Sequence, residues 1–226
     1  IVARGGSLHA HTDNALSSVS KTLVGKLGSI NIEGSQEIER LLIRKDGEFI
    51  GGADSKLTTK SIVNRGDISL SSLVIEDGMT RFLDRYIEFK DRRGDSVPVE
   101  SPLRKIDAQG SLKNIGGSIS LKGDLTFEST GDAGGHALLN LTTGSRDRGF
   151  LPPSEATLSA NSIQFSDKND VLINSGFVKT TGASGIDFGG GNDLVLSKGT
   201  FSIESGSKID GGEPLDTSNW KPGNRS

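Results

Sequence analysis

Two Arg-Gly-Asp tripeptides are the shortest pieces of this chain that could engage a partner. Arg93-Gly94-Asp95 lies in a polar stretch followed by Pro98 and Pro102, and Arg65-Gly66-Asp67 lies between two apolar runs. At a loop tip, such a guanidinium and carboxylate are readable by an integrin-type receptor. In a tight corner the same residues only turn the chain. His9 and His11 would share one face of a strand as a two-ligand metal pair, but no third ligand stands beside them. His136 is the remaining histidine. Asp67, Asp124, Asp170 and Asp193 could serve a polysaccharide-cleaving site if the fold gathered them with Arg or Lys on one outer face. No nucleophile elbow and no phosphate loop occur.

A further stretch carries a metal motif. Gly189-Gly190-Gly191-Asn192-Asp193-Leu194-Val195 resembles the Gly-Gly-x-Gly-Asn-Asp-x-Leu nonapeptide of calcium-binding β-roll proteins, with Phe188 in the place of the first glycine. In that family, Asp carboxylates and turn carbonyls from successive coils surround each calcium ion. The resemblance implies Asp187 and Asp193 as calcium ligands. No other cofactor is implied. The alternative is a structural turn, because glycine tolerates positive φ.

The elements that must position these residues repeat. Asn169-Asp170-Val171-Leu172-Ile173-Asn174-Ser175-Gly176 returns as Asn192-Asp193-Leu194-Val195-Leu196-Ser197-Lys198-Gly199, an offset of 23 residues (192 − 169). Ile163, Ile186 and Ile209 keep the same offset. A period in this range marks stacked units that cannot bury their apolar face alone. Twenty-three residues are too many for one strand and suit one closed coil of two or three short strands, the coils stacking about 4.8 Å apart. Ile163, Ile186 and Ile209 would then align, as would Val171 with Leu194 and Ile173 with Leu196. At this period the chain holds roughly nine coils. A shared grammar of apolar strand, Asn, Gly, apolar strand recurs around Asn64, Asn114 and Asn174. Aligned asparagines such as Asn169 and Asn192, with Asn174 near the turns, suit amide ladders.

Composition agrees with a thin, elongated core. Of 226 residues, 32% are hydrophobic and 5% aromatic, with 31 glycines, and the net charge of −3 is too small to favour disorder. No basic block suits nucleic acid. No apolar run is long enough to span a membrane. The absence of cysteine excludes disulfides and thiolate metal sites. The chain opens Ile1-Val2-Ala3 without Met, which reads as a mature or excised fragment.

Three regions follow. Residues 1–26 read as a lead-in segment or cap, 27–212 as a β-solenoid, and 213–226 as a tail. Loops interrupt the solenoid near 90–105 and 142–155. Met79, Phe82, Leu83, Tyr86 and Ile87 have helical spacing, but Tyr86-Ile87-Glu88-Phe89 also reads as a strand. Loops inserted in a solenoid are where function usually sits.

The Asn-Ser-Gly turn at Asn174-Ser175-Gly176, the tier containing Asp193 and their spacing resemble passenger domains of bacterial autotransporters. The match is best over 161–212 and looser over 27–127. It implies an all-β fold, a right-handed parallel β-helix (β-solenoid) with coils of about 23 residues and inserted loops. It also implies secretion and display on the bacterial outer surface, often for adhesion. The expected activity is therefore non-enzymatic: adhesion or a structural surface role. Expected partners are a host or neighbouring-cell surface protein or glycan, or a second copy of the chain. The alternatives are a β-helix polysaccharide lyase or depolymerase, and a self-assembling surface-layer or filament subunit.

Overall fold

The computed structural model describes residues 2–3, 5–17, 21–77, 110–129, 134–143, 154–191, 193–204 and 206–211. Among them every regular element is a β-strand, every strand pairing is parallel, and there is no helix. The first strands are β1 (Val2–Ala3), β2 (Ser7–Ala10), β3 (Thr22–Val24), β4 (Ser29–Ile32), β5 (Ser35–Ile43), β6 (Glu48–Gly51) and β7 (Lys56–Asn64). Next come β8 (Asp67–Leu70), β9 (Ser72–Glu76), β10 (Ser111–Ile115), β11 (Ser118–Leu121), β12 (Leu125–Glu128), β13 (Ala137–Leu141) and β14 (Thr157–Ala160). The last are β15 (Ile163–Gln164), β16 (Val171–Asn174), β17 (Phe177–Thr180), β18 (Ile186–Asp187), β19 (Leu194–Ser197), β20 (Thr200–Ile203) and β21 (Ile209–Asp210).

Alternation of apolar and polar residues makes these segments strands. In β8, Ile68 and Leu70 are buried while Asp67 and Ser69 face solvent. A period of two sends successive side chains to opposite faces. β2, β4, β6, β8, β11, β14, β17 and β20 form one sheet in that order. The other sheet curls. The first half of β7 pairs with β9 (Leu57 with Leu73), and its second half pairs with β10 (Ile62 with Leu112). Lys60 sits at the bend between the two halves.

The register builds long rows of like residues. In the first sheet, Leu8, Ile30, Phe49, Ile68, Ile119, Leu158, Val178 and Phe201 are successive partners. Ile163, Ile186 and Ile209 align as the period requires, and so do Val171 with Leu194 and Ile173 with Leu196. Rows from both sheets meet in one apolar interior. Each fully buried aliphatic side chain there contributes about 1.5–3 kcal/mol. Val171 and Ile173 belong to a second cluster with Ala137 and Leu139, on the opposite face of β13 and β16 from Leu138 and Leu172.

The offset between partners varies along the chain. It is 23 from β15 to β18 and from β16 to β19 (186 − 163 and 194 − 171). It is 19 from β4 to β6 and from β6 to β8 (48 − 29 and 67 − 48). Residues 2–24 carry β1, β2 and β3, which pair in parallel like the rest. The helix-or-strand reading of 79–91, the polar loop at 92–104, residues 144–153 and the tail at 213–226 lie outside the described residues.

Candidate functional site

A buried polar cluster lies where the chain turns from β15 into β16. Asp170, fully buried, bonds across two layers. Its Oδ2 accepts the Ser166 N–H at 3.0 Å and the Ser166 hydroxyl at 3.1 Å. Its Oδ1 accepts the backbone N–H of His136, and the His136 Nδ1 lies 3.3 Å away. His136 is itself fully buried and stands against Phe127, with ring centroids 5.4 Å apart. One layer on, Asp193 repeats the pattern: its Oδ1 accepts the Asp170 N–H at 2.8 Å. His136, Asp170 and Asp193 thus form a row in which each aspartate ties down the backbone of the layer before it.

Ser, His and Asp together suggest nucleophilic catalysis, but the geometry does not support it. A serine nucleophile needs an imidazole nitrogen that faces its hydroxyl while the other nitrogen faces the carboxylate. Here Nδ1 lies 3.3 Å from both the Ser166 Oγ and the Asp170 Oδ1. The His136 Nε2 is buried without a partner. Ser166 is 8% exposed and donates to the carboxylate, so it cannot meet a substrate. Charge is costly one layer on, at Asp193. Burial pushes the Asp193 carboxyl up from 3.8 to about 6; the Asp170 N–H opposes the shift and the Asp170 charge adds to it.

The glycine stretch is occupied in the same way. Asp187 is exposed and its Oδ1 accepts the Gly189 N–H at 2.9 Å. Gly189 and Gly191 have φ of +64° and +100° and pack on the backbone of Ser166 and Lys168, where a Cβ would clash. The glycines therefore allow one turn to lie flat on the turn below it. Asp187 and Asp193 both spend an oxygen on backbone amides. Among the described residues, no group of three His, Asp or Glu side chains is placed to hold a metal. Asn192 lies outside the described residues, and with it the expected ladder to Asn169.

A different ladder runs through the interior. The Asn64 Nδ2 donates to the Asn114 Oδ1 at 2.9 Å, Asn114 to Asn140 at 2.8 Å, and Asn140 to Asn174 at 3.0 Å. None of the four is more than 1% exposed. Asn140 escaped the sequence reading because Leu141-Thr142-Thr143 follows it instead of a glycine turn. His136 and Ser166 escaped too, since neither belongs to the repeated octapeptide. Beside them, the rings of Phe127, Phe165 and Phe188 stack at 4.7 Å, within 4° of parallel. Phe188, out of place in the glycine motif, is thus the last ring of a stack.

Of the remaining candidates, Arg65-Gly66-Asp67 forms a corner. Gly66 is buried, and a Cβ on it would lie 2.2 Å from the Gly47 carbonyl oxygen. Arg93, Gly94 and Asp95 lie outside the described residues. The rings of His9 and His11 stack at 5.7 Å, and the His11 Nδ1 is 3.4 Å from Glu33. Asp67 opens β8, and Asp124 accepts from Asn161 and Ser162 before β12. Only Asp170 and Asp193, of the four aspartates, come together. One outer carboxylate group was not foreseen. Glu76 is aligned with Glu128, and burial first, then Glu37, Asp77 and Glu128, raises its pKa above the usual range. Lys60 pairs with Asp77 at 2.6 Å beside it.

No described family, no curated protein and no solved structure matches the chain.

Proposed function

We propose that this chain is a non-enzymatic β-solenoid, a right-handed parallel β-helix of three-stranded coils, that works at a cell surface or after secretion in adhesion or as a structural component. The observation that carries the reading is where the polar residues of the repeats go. Asn64, Asn114, Asn140 and Asn174 bond to one another, and Asp170 and Asp193 bond to backbone amides. These side chains hold layers together, and none of these six presents a free reacting group to the surface. The Asn-Ser-Gly corner at Asn174-Ser175-Gly176 and the Asp193 tier also support an autotransporter-type passenger, exported and displayed on the bacterial outer surface. Its partner is then a surface protein or glycan, met through the insertions between strands. Purified protein incubated with a panel of acidic and neutral polysaccharides, and with whole cells, tests the reading. Binding without chain cleavage is expected, and robust turnover of any polymer would overturn it.

A second reading is an enzyme acting on polysaccharide. It is favoured by the carboxylates of Glu37, Asp77 and Glu128 around Glu76, whose own pKa is raised, with Lys60 beside them on Asp77. It requires that Glu76→Gln abolish turnover; undetectable turnover in the unsubstituted protein removes this reading.

A further inference from the structure

The chain leaves the strands after β9 at Asp77 and rejoins them at Gly110, just before β10. Both ends meet one residue. The Lys60 Nζ contacts the Asp77 Oδ2 at 2.6 Å, and the Gly110 N–H donates to the Lys60 carbonyl at 2.7 Å. Lys60 occupies the bend of β7, where the strand passes from its pairing with β9 to its pairing with β10. It can therefore reach the departing and the returning strand at once. We infer that Lys60 is a clasp: a positioning residue whose side chain and carbonyl together hold the neck of the 78–109 insertion against the curled sheet.

Three features support the assignment. The ion pair is partly buried, with side-chain exposures of 35% for Lys60 and 23% for Asp77, so water screens it less than a surface pair. The Asp77 hydrogen bond and charge, with Glu39 and Glu76 adding, hold the Lys60 ammonium above the usual lysine range despite the opposing effect of burial. Asp77 also has a φ of 57°. That left-handed conformation suits Asp or Asn better than most residues, and it turns the chain away from β9 at the neck. The other large insertion is pinched as well. The Thr143 N–H donates to the Ser154 carbonyl at 3.1 Å, and the Ser154 N–H donates back to the Thr143 Oγ1 at 3.1 Å.

Limited chymotrypsin digestion tests the clasp, because Phe82, Leu83, Tyr86 and Phe89 lie between the two ends and no lysine is needed for cleavage. Two variants are compared with the unsubstituted protein. Lys60→Met removes the ammonium and keeps the carbonyl. Asp77→Asn removes the charge and keeps a side chain that tolerates positive φ. Each should speed cleavage within 78–109 by about threefold to fivefold, as expected of a partly buried ion pair whose opening precedes cleavage. The double variant should be no faster than either single one, since both remove the same contact. Amide exchange at Gly110 should rise in step, while exchange at the central β16 amides stays unchanged, and Lys60→Arg should restore protection. Cleavage at the unsubstituted rate in both variants overturns the inference. So does acceleration spread equally over the insertion and the strands, which would mark a purely structural lysine.

Discussion

Asp193 Oδ1 accepts the backbone N–H of Asp170 at 2.8 Å across a separation of 23 residues. Asp170 does the same for His136 one layer earlier. The difference lies in the second oxygen. Asp170 Oδ2 is satisfied by Ser166, whereas Asp193 Oδ2 is buried without a partner. The residue equivalent to Ser166 is Gly189, whose N–H is already bonded to Asp187.

A pH dependence follows. The folded state raises the Asp193 carboxyl from 3.8 to about 6, so it binds this proton more tightly than the unfolded chain does. The contribution of this group is most favourable below about pH 4, weakens as pH rises to about 6, and is level above that. Asp193→Asn keeps an oxygen for the Asp170 N–H and removes the charge. Denaturant unfolding at pH 4 and pH 7 should give similar stabilities at the lower pH and a more stable variant at the higher one. A variant less stable at pH 7 would contradict this account.

Asn114 is the best single test of the amide ladder. It donates to Asn140 and to the Thr157 carbonyl, and it accepts from Asn64. Asn114→Ala leaves these buried partners unpaired and should cost about 2–4 kcal/mol in urea unfolding. Asn114→Asp should cost more, because it sets a carboxylate against the Asn140 Oδ1. A cost below about 0.5 kcal/mol for the alanine variant would mean that the ladder only fills space.

Two isoleucines in one row separate interior from edge. Ile186 is fully buried between Ile163 and Ile209, while Ile209 is 49% exposed. Ile186→Asp places an unpaired charge in an apolar stack and should cost more than about 4 kcal/mol or abolish cooperative melting. Ile209→Asp should cost less than about 1 kcal/mol. Equal effects would show that the row is not layered as described.

Calcium has a simple test. The Gly189 and Asp170 amides already occupy one oxygen each of Asp187 and Asp193. Millimolar calcium should therefore move the melting temperature by no more than about 1 °C. A rise of several degrees that Asp187→Asn removes would restore these two aspartates as ligands.

How much of this was legible depended on what each residue answers to. Ile163, Ile186 and Ile209 could be aligned from the sequence because parallel stacking makes equivalent positions touch, and apolar burial then demands like residues. The partition of Val171 and Ile173 into a second cluster was not legible. Alternation shows that two faces differ, but it does not show which one is covered. The Ser166, His136 and Asp170 cluster was hidden for another reason. His136 lies 30 residues from Ser166 and 34 from Asp170 and comes from an unlike turn. Only the register of β13 against β16 brings them together, and the loop lengths between layers set that register. Asn64 and Asn114 were easier to find, since a glycine follows each within two residues and marks the corner.

The asparagine ladder has a sense of direction. Each of Asn64, Asn114 and Asn140 points its side-chain N–H toward the residue after it, and Asn174 continues onto the Thr200 carbonyl. At the other end, the Asn64 Oδ1 receives the Gly66 N–H. Four carboxamide dipoles are therefore aligned head to tail in a dry interior, where each polarises the next. As with the peptide dipoles of a helix, such a sum leaves partial charge of opposite sign at its two ends. The electric field of the ladder thus distinguishes one end of the stack from the other without any ionised side chain. A duplicated layer could lengthen this field but could not reverse it.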